Sequence, residues 1–146
     1  MLKLTDIHTY YGESHALQGV DLELKEGETV CILGRNGAGK STTLKTIVGL
    51  TPALKGQVIF EGQDITKRLP YQIARMGIGL VPEDRRVFAT LTVQENLEVS
   101  RYVRPGVTPS WSVERIFDEY PMLAEIADRD AGNLSGGQQQ MLAVAR

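Results

Sequence analysis

The stretch GRNGAGKST, residues 34–42, decides how the rest of this chain is interpreted. It fits the pattern G-x-x-x-x-G-K-[ST], a glycine-rich loop that cradles phosphates. The apolar, β-branched run Glu28–Leu33 before it predicts a buried strand, and apolar residues at helical spacing over Lys40–Leu50 predict a helix after it. A chance match is the alternative, and this strand–loop–helix context argues against it.

The residue types in this loop suit a nucleotide with Mg²⁺. Its glycines let backbone N–H groups approach an anion, and the helix that follows adds the positive end of its dipole. Lys40 can reach the β- and γ-phosphates, Ser41 offers a hydroxyl to Mg²⁺, and Thr42 can bond another phosphate oxygen. The predicted nucleotide-binding residues of the loop are Gly34, Arg35, Asn36, Gly37, Ala38, Gly39, Lys40, Ser41 and Thr42.

Composition places the chain among soluble globular proteins. Its 146 residues can bury a core, and its net charge of −2 provides no broad basic field, so we expect no nucleic-acid partner. No apolar run approaches the roughly 18 residues that span a bilayer, and no secretory segment opens the sequence. We therefore expect a cytoplasmic protein whose single cysteine, Cys31, is buried in the strand before the loop.

Further strands are predicted beside the phosphate loop where polar and apolar residues alternate, over Leu2–Tyr10, Ala16–Leu24 and Gly56–Phe60. Short turns between strands favour antiparallel pairing of this flank. Pro70–Met76 predicts a short helix with proline in its first turn, and Ile78–Val81 predicts a brief strand parallel to the one before the loop. The first part of the chain is therefore expected to be a mixed α/β core.

From Thr92 onwards the pattern becomes mainly helical. Helices are predicted over Thr92–Tyr102, Ser112–Tyr120 and Met122–Asp128. Thr92 can cap the first of them, with Glu95 standing three residues on. Residues 104–110 contain two prolines and a glycine and predict a loop, and Trp111 after it is expected to anchor packing.

The second motif is LSGGQ, residues 134–138, which opens the last predicted helix. Ser135 is a good N-cap, and Gly136 and Gly137 leave the start of the helix without side chains that would cover its backbone N–H groups. A hydroxyl, two exposed N–H groups and a helix dipole together form an anion site. Taken alone, the five residues could equally be a capped helix start without a ligand.

Together the two motifs resemble the ATP-binding subunits of ABC transporters, in the right order and over essentially the whole chain. Residues 34–42 match the Walker A loop of that family, and residues 134–138 match its signature motif. The resemblance implies an α/β P-loop NTPase fold with an antiparallel β flank and a helical subdomain, the C-terminal part of the core being absent. We expect residues 1–91 to form the nucleotide-binding core, 92–133 the helical subdomain and 134–146 the start of the signature helix.

In this family two ATPase domains pair head to tail, and each ATP lies between the Walker A loop of one domain and the signature motif of the other. The resemblance therefore implies two kinds of partner, a second ATPase subunit, identical or different, and transmembrane permease subunits. Tyr11 falls where the family stacks an aromatic ring on adenine, the alternative being a core position at the strand end. The residues expected to contact the partner's ATP are Leu134, Ser135, Gly136, Gly137 and Gln138.

The segment PEDRRVF, residues 82–88, falls at the Q-loop of the family. That loop usually carries a glutamine that touches Mg²⁺ or the attacking water and senses the transmembrane subunits. Glu83 is a departure, because a carboxylate adds negative charge beside Mg²⁺ and could ligate it more strongly. The resemblance implies Lys40 and Glu83 as catalytic residues and Ser41 and Glu83 as Mg²⁺ ligands. The two arginines of the segment could instead be solvated surface charges.

The segment PEDRRVF, with YYG at residues 10–12, is most similar to importers of branched-chain, hydrophobic amino acids. This implies the energy-coupling ATPase subunit of an importer, held at the cytoplasmic face of the membrane by its permease. The alternatives are a soluble ABC-type ATPase acting on nucleic acid or ribosomes and a non-catalytic nucleotide-binding module. The transported substrate itself is not encoded in an ATPase subunit, which never touches it.

Hydrolysis in this family needs a strand ending in Asp-Glu after the signature helix and a later histidine. Asp118 and Glu119 come before the signature, on a helix edge, and His8 and His15 come before the phosphate loop. We therefore expect an N-terminal fragment of a longer protein. Since losing a positioned base costs about 10²–10⁴ in rate, this chain alone is expected to have little or no ATPase activity.

Overall fold

The computed structural model describes residues 1–100 and 111–146. They divide into two compact units, Met1–Leu80 and Val81–Arg146. The first unit combines an antiparallel sheet with helices, and the second is helical, so the predicted α/β class with an antiparallel flank is confirmed. Across the described residues, no helix combines the length and the apolar composition that crossing a bilayer requires.

The sheet of the first unit has four strands in the order β2-β1-β3-β4, and every neighbouring pair is antiparallel. They are β1 (Leu2–Tyr11), β2 (Ser14–Leu24), β3 (Lys55–Phe60) and β4 (Gln63–Asp64). Alternation sets the register, so that Leu4 of β1 lies opposite Leu22 on one side and Val58 on the other. One face of the sheet is therefore apolar and available to pack helices.

Two helices pack with this sheet, α1 (Lys40–Ile47) and α2 (Pro70–Arg75), the latter with the predicted proline in its first turn. Apolar side chains from the strands and both helices form one buried cluster, made of Leu2, Leu4, Ile7, Leu17, Ile47, Ala53, Val58, Phe60, Ile65 and Ile73. Leu17 of β2 and Ile47 of α1 belong to it. The helix that follows the phosphate loop is therefore fixed to the sheet by its apolar end.

Two predicted strands are not formed, Glu28–Leu33 before the loop and Ile78–Val81. Leu33 is 85% exposed, and Cys31, expected in the core, is exposed as well. A strand needs hydrogen-bonded neighbours as well as β-branched residues. In the described parts of the chain no strand pairs with either segment, which explains why both predictions are wrong here.

The second unit consists of short helices packed around an apolar cluster. They are α3 (Val93–Ser100), α4 (Val113–Glu119), α5 (Pro121–Ala124), a 3₁₀ turn over Ala131–Asn133 and α6 (Gly136–Ala145). The cluster contains Val93, Leu97, Leu123, Ile126, Ala131, Leu134 and Leu142. The predicted helices over Thr92–Tyr102 and Ser112–Tyr120 are confirmed within the described range, and the third, Met122–Asp128, is helical only to Ala124 and continues as a turn. The predicted loop over 104–110 lies outside the described residues. The division of this half at residues 92 and 134 stays a prediction.

Of two predictions made for this unit, the helix cap at Thr92 is confirmed and the packing role of Trp111 is wrong. Thr92 and Glu95 form the predicted cap, since Glu95 N donates to Thr92 Oγ1 at 3.1 Å and Thr92 N donates to Glu95 Oε2 at 2.8 Å. Trp111, in contrast, is 47% exposed, with the Arg115 guanidinium 4.3 Å from its ring centroid. The expected packing anchor is therefore a surface ring.

A buried amide fixes the chain at the start of α3. The side chain of Asn96 is fully buried, and its Nδ2 lies 2.9–3.2 Å from the carbonyl oxygens of Phe88, Leu91 and Thr92. Its Oδ1 accepts a bond from Phe88 N at 2.9 Å. Asn96 therefore holds residues 88–92 in one conformation, because few buried polar groups are left without partners in folded proteins.

Candidate nucleotide-binding site

The phosphate loop leads directly into α1, as predicted. Gly39 has φ +90°, a conformation that glycine adopts at no steric cost, and its carbonyl accepts the first helical bond, from Thr43 N at 2.8 Å. A Cβ built on Gly39 would lie 2.7 Å from the buried Leu17 Cδ2. Glycine is therefore required at this position both by conformation and by the close approach of the loop to the core.

Lys40 folds back over the loop that precedes it. Its Nζ donates to the carbonyl oxygens of Gly34 at 2.8 Å and Arg35 at 2.9 Å. An ammonium group carries three N–H donors, so one remains for a phosphate oxygen. The loop thus places a fixed positive charge at the start of an eight-residue helix, where an anion is also favoured by the helix dipole.

The remaining residues of the loop present backbone and hydroxyl groups to solvent. Ser41 in the first turn of α1 is exposed, as are Arg35, Asn36, Gly37 and Ala38. Mg²⁺ in nucleotide sites keeps several waters and binds one or two protein oxygens together with phosphate oxygens. An exposed hydroxyl beside the predicted phosphate position fits that donor set, and the described residues contain no cluster of His, Cys, Asp or Glu that could hold a metal unaided.

Tyr11 is placed on the surface of the same unit, at the end of β1. It is 48% exposed, and its hydroxyl lies 3.4 Å from Thr51 Oγ1. Hydrogen bonding to Thr51, and to a smaller extent to Thr42 of the phosphate loop, holds the pKa of Tyr11 below its usual range. Tyr10 instead stacks on His15, with ring centroids 4.1 Å apart. Tyr11, not Tyr10, is therefore the exposed ring next to the loop.

The LSGGQ motif forms a helix start with a reciprocal cap. Ser135 Oγ accepts a bond from Gln138 N at 3.3 Å, and Gln138 Oε1 accepts one from Ser135 N at 2.9 Å. Leu134 is buried in the apolar cluster of the second unit, whereas Gly136 and Gly137 are exposed. The Ser135 cap is confirmed. The role of Gln138 in it was missed, although S-x-x-Q is the sequence pattern of a capping box.

The segment 82–88 lies in the second unit and begins with a tight turn over residues 82–85, with Glu83 exposed. Arg85 and Arg86 both have positive φ, +62° and +51°. Arg86 pairs with Asp84, its Nε lying 2.8 Å from Oδ2, whereas Arg85 points to α6 and donates from Nη1 to Gln139 Oε1 at 3.3 Å. The two arginines therefore have different partners, and nothing in the sequence indicated that Arg85 reaches the LSGGQ helix.

Comparisons with known proteins agree with these motifs. A family profile described as ABC transporter matches residues 17–146. The chain is 40% identical over 146 residues to the high-affinity branched-chain amino acid transport ATP-binding protein BraG of Pseudomonas aeruginosa, and covers 63% of that protein. It is 39% identical over 145 residues to the probable branched-chain amino acid transport ATP-binding protein LivF of Archaeoglobus fulgidus, and covers 61% of it.

Solved structures give the same result. A nucleotide-free ATP-binding cassette from an ABC transporter matches 99% of this chain at 32% identity with a TM-score of 0.78, and 63% of its own length is covered. A dimeric structure of a bacterial ABC transporter cassette matches 99% of the chain at 32% identity, also with a TM-score of 0.78, over 68% of its own length. The chain thus spans about 60% of the length of the curated relatives it matches.

Proposed function

Because this chain belongs to the ABC transporter family of ATP-binding proteins, we propose that it carries the phosphate-binding and signature parts of a transport ATPase. The observation that supports this most is the loop geometry, in which Gly39 starts α1 and Lys40 is held over the loop by two carbonyl groups. Such a loop can bind the β- and γ-phosphates of ATP through backbone N–H groups and one ammonium group.

The two motifs are proposed to act on different ATP molecules in a head-to-tail dimer. The loop around Lys40 would bind one ATP in its own protomer. The bare helix start at Ser135, Gly136 and Gly137 would complete the site of the partner protomer, because exposed N–H groups and a helix dipole attract a phosphate. One of the similar structures is a dimer of cassettes, which supports pairing of two ATPase domains.

Mg²⁺ would neutralise charge on the phosphates during hydrolysis. We propose Ser41 as its protein ligand beside the loop. Glu83, an exposed carboxylate in the turn of the second unit, is proposed to act at the metal or the attacking water. A Glu83→Gln variant, which restores the residue usual in the family at this position, would show whether the negative charge matters for turnover.

The complete protein is proposed to couple ATP hydrolysis to import of branched-chain, hydrophobic amino acids. The names of the two curated relatives support this substrate class. Permease subunits as partners are part of the same proposal. Such a subunit would lie on the cytoplasmic face of the membrane, attached through the permease.

To test this function, the full-length natural protein would be purified with a branched-chain amino acid permease from the same organism and reconstituted in vesicles. We expect ATP-dependent uptake of leucine or valine and ATPase activity that rises with the transported amino acid. Stimulation by RNA or ribosomes, without any by amino acids, would instead favour a soluble ABC-type ATPase.

Tyr11 gives a test of adenine recognition. Replacing it with alanine is expected to weaken ATP binding about 5- to 100-fold, the range that stacking of a base on an aromatic ring provides. Tyr11→Phe keeps the ring and loses only the hydroxyl, so its affinity should stay within about two-fold of wild type. Titration with a fluorescent ATP analogue measures both variants. Equal losses in the two would show that the hydroxyl, not stacking, is what matters.

A further inference from the structure

Arg85 makes contacts that set it apart from the neighbouring charges of the same turn. Its guanidinium lies against the start of α6, where a Cβ built on Gly136 would come within 3.2–3.4 Å of three of its atoms. Nη1 donates to Gln139 Oε1 at 3.3 Å. The absence of a side chain at Gly136 therefore provides the room in which the guanidinium sits.

The contact is fixed at both ends. Gln139 Nε2 donates to the Ala131 carbonyl at 3.1 Å, which orients the amide oxygen that faces Arg85. On the other side, Arg85 N donates to the Pro82 carbonyl at 3.1 Å, closing the turn. Arg85 also holds a left-handed conformation that non-glycine residues avoid, and such strain persists where surrounding contacts over-determine it.

The position is electrostatically unusual. The N-terminus of a helix carries partial positive charge and repels a cation. Arg85 nevertheless lies beside the N-terminus of α6, a ten-residue helix. The helix N-terminus and the guanidinium would both be stabilised by an anion at Ser135–Gly137, which is where the proposed function puts a phosphate of the partner's ATP.

We propose that Arg85 is a positioning residue for the signature motif. It ties the turn over residues 82–85 to Gly136 and Gln139, so that the position of the turn sets how the N–H groups of the signature helix are presented to a nucleoside triphosphate. This inference rests on the proposed function. The inference goes beyond the proposed function because Arg85 lies outside both motifs and links the conformation of the turn to the position of the signature helix.

The test uses the full-length dimer and compares Arg85→Gln with Arg86→Gln. Arg86 has the same charge and a similar backbone conformation, but its guanidinium pairs with the adjacent Asp84 and not with α6 in the described residues. We expect Arg85→Gln to lower kcat about ten-fold, the effect of losing one charged hydrogen bond. ATP affinity at the protein's own phosphate loop should stay within about two-fold, and Arg86→Gln should change neither quantity more than that.

A double-mutant cycle with Gln139→Ala tests the contact itself. If Arg85 acts through Gln139, the double variant loses no more kcat than Arg85→Gln alone. Additive losses, or an Arg85→Gln kcat within two-fold of wild type, would overturn the proposal. A parallel fall of ATP affinity and thermal stability would show a purely structural role and overturn it too.

Two further measurements, on Arg85→Lys and on the wild-type dimer, complete the test. Arg85→Lys keeps the charge without the planar fork and should recover part of kcat, and it serves in place of Arg85→Gln should that variant fail to fold. The wild-type dimer is measured alongside. Absence of ATPase activity in the wild type would count against the proposed function, whereas normal wild-type turnover with an unaffected Arg85 variant counts only against this inference.

Discussion

Replacing Lys40 with alanine is expected to weaken ATP binding about 10- to 100-fold, because a hydrogen bond to a charged group contributes about 1.5–3 kcal/mol. The ammonium group stands over the loop, bonded to the carbonyl groups of Gly34 and Arg35, and no other side chain of α1's first turn carries a positive charge. Turnover of the full-length protein should fall further, about 10²–10³-fold, since charge develops on the transferred phosphoryl group.

The control is Lys3→Ala, which removes an exposed ammonium group from β1 of the same unit. Calorimetric titration with Mg-ATP should give an unchanged affinity for this variant. If Lys40→Ala bound ATP as tightly as Lys3→Ala does, the loop would not be the phosphate site.

Replacing Asn96 with leucine is expected to lower the free energy of unfolding by about 3–5 kcal/mol, through the loss of several buried hydrogen bonds. Leucine is close in size, yet it leaves Phe88 N–H and the carbonyl groups of Leu91 and Thr92 without the side-chain partners they have now. The full-length protein should unfold at a clearly lower urea concentration, with the same dependence on urea.

Asn133→Leu makes the same substitution at an exposed position and should change stability by less than about 0.5 kcal/mol. Asn96→Asp keeps the acceptor for Phe88 N but removes the donors to three carbonyl groups, so it should destabilise as well. Stability of Asn96→Leu equal to that of Asn133→Leu would contradict the role given to this amide.

Local patterns were enough to predict much of this fold. Alternating residues predicted the strands of the flank, short turns predicted their antiparallel pairing, and the cap formed by Thr92 with Glu95 was visible as a short motif. The glycine-rich loop before α1 could be predicted from the sequence. Its glycines and Lys40 supply the backbone conformation and the positive charge of such a loop within a few residues of one another. In each of these cases the residues that determine the local structure lie close together in the sequence.

What the sequence did not reveal depends on distant partners. The run Glu28–Leu33 has strand propensity, but propensity does not supply a hydrogen-bonded neighbour, and the segment is not a strand. Arg85 looks like a surface charge until the turn brings it to Gln139, which is 54 positions away. Asn96 has an ordinary place in a helical pattern, and only burial among the carbonyl groups of 88–92 explains it.

The sharing of each ATP between two protomers is tested with dimers of the full-length protein in which each protomer carries a separate tag. Lys40→Ala disables one phosphate loop, and Ser135→Arg blocks one signature helix with a bulky side chain. If each ATP lies between the loop of one protomer and the signature of the other, changes placed in different protomers damage the same site and leave one site whole.

ATPase activity of the two mixed dimers is then compared. We expect clear activity when Lys40→Ala and Ser135→Arg are in different protomers, and almost none when both are in one protomer beside a wild-type partner. The opposite pattern would mean that loop and signature serve the same protomer's nucleotide, and would contradict the site proposed for this chain.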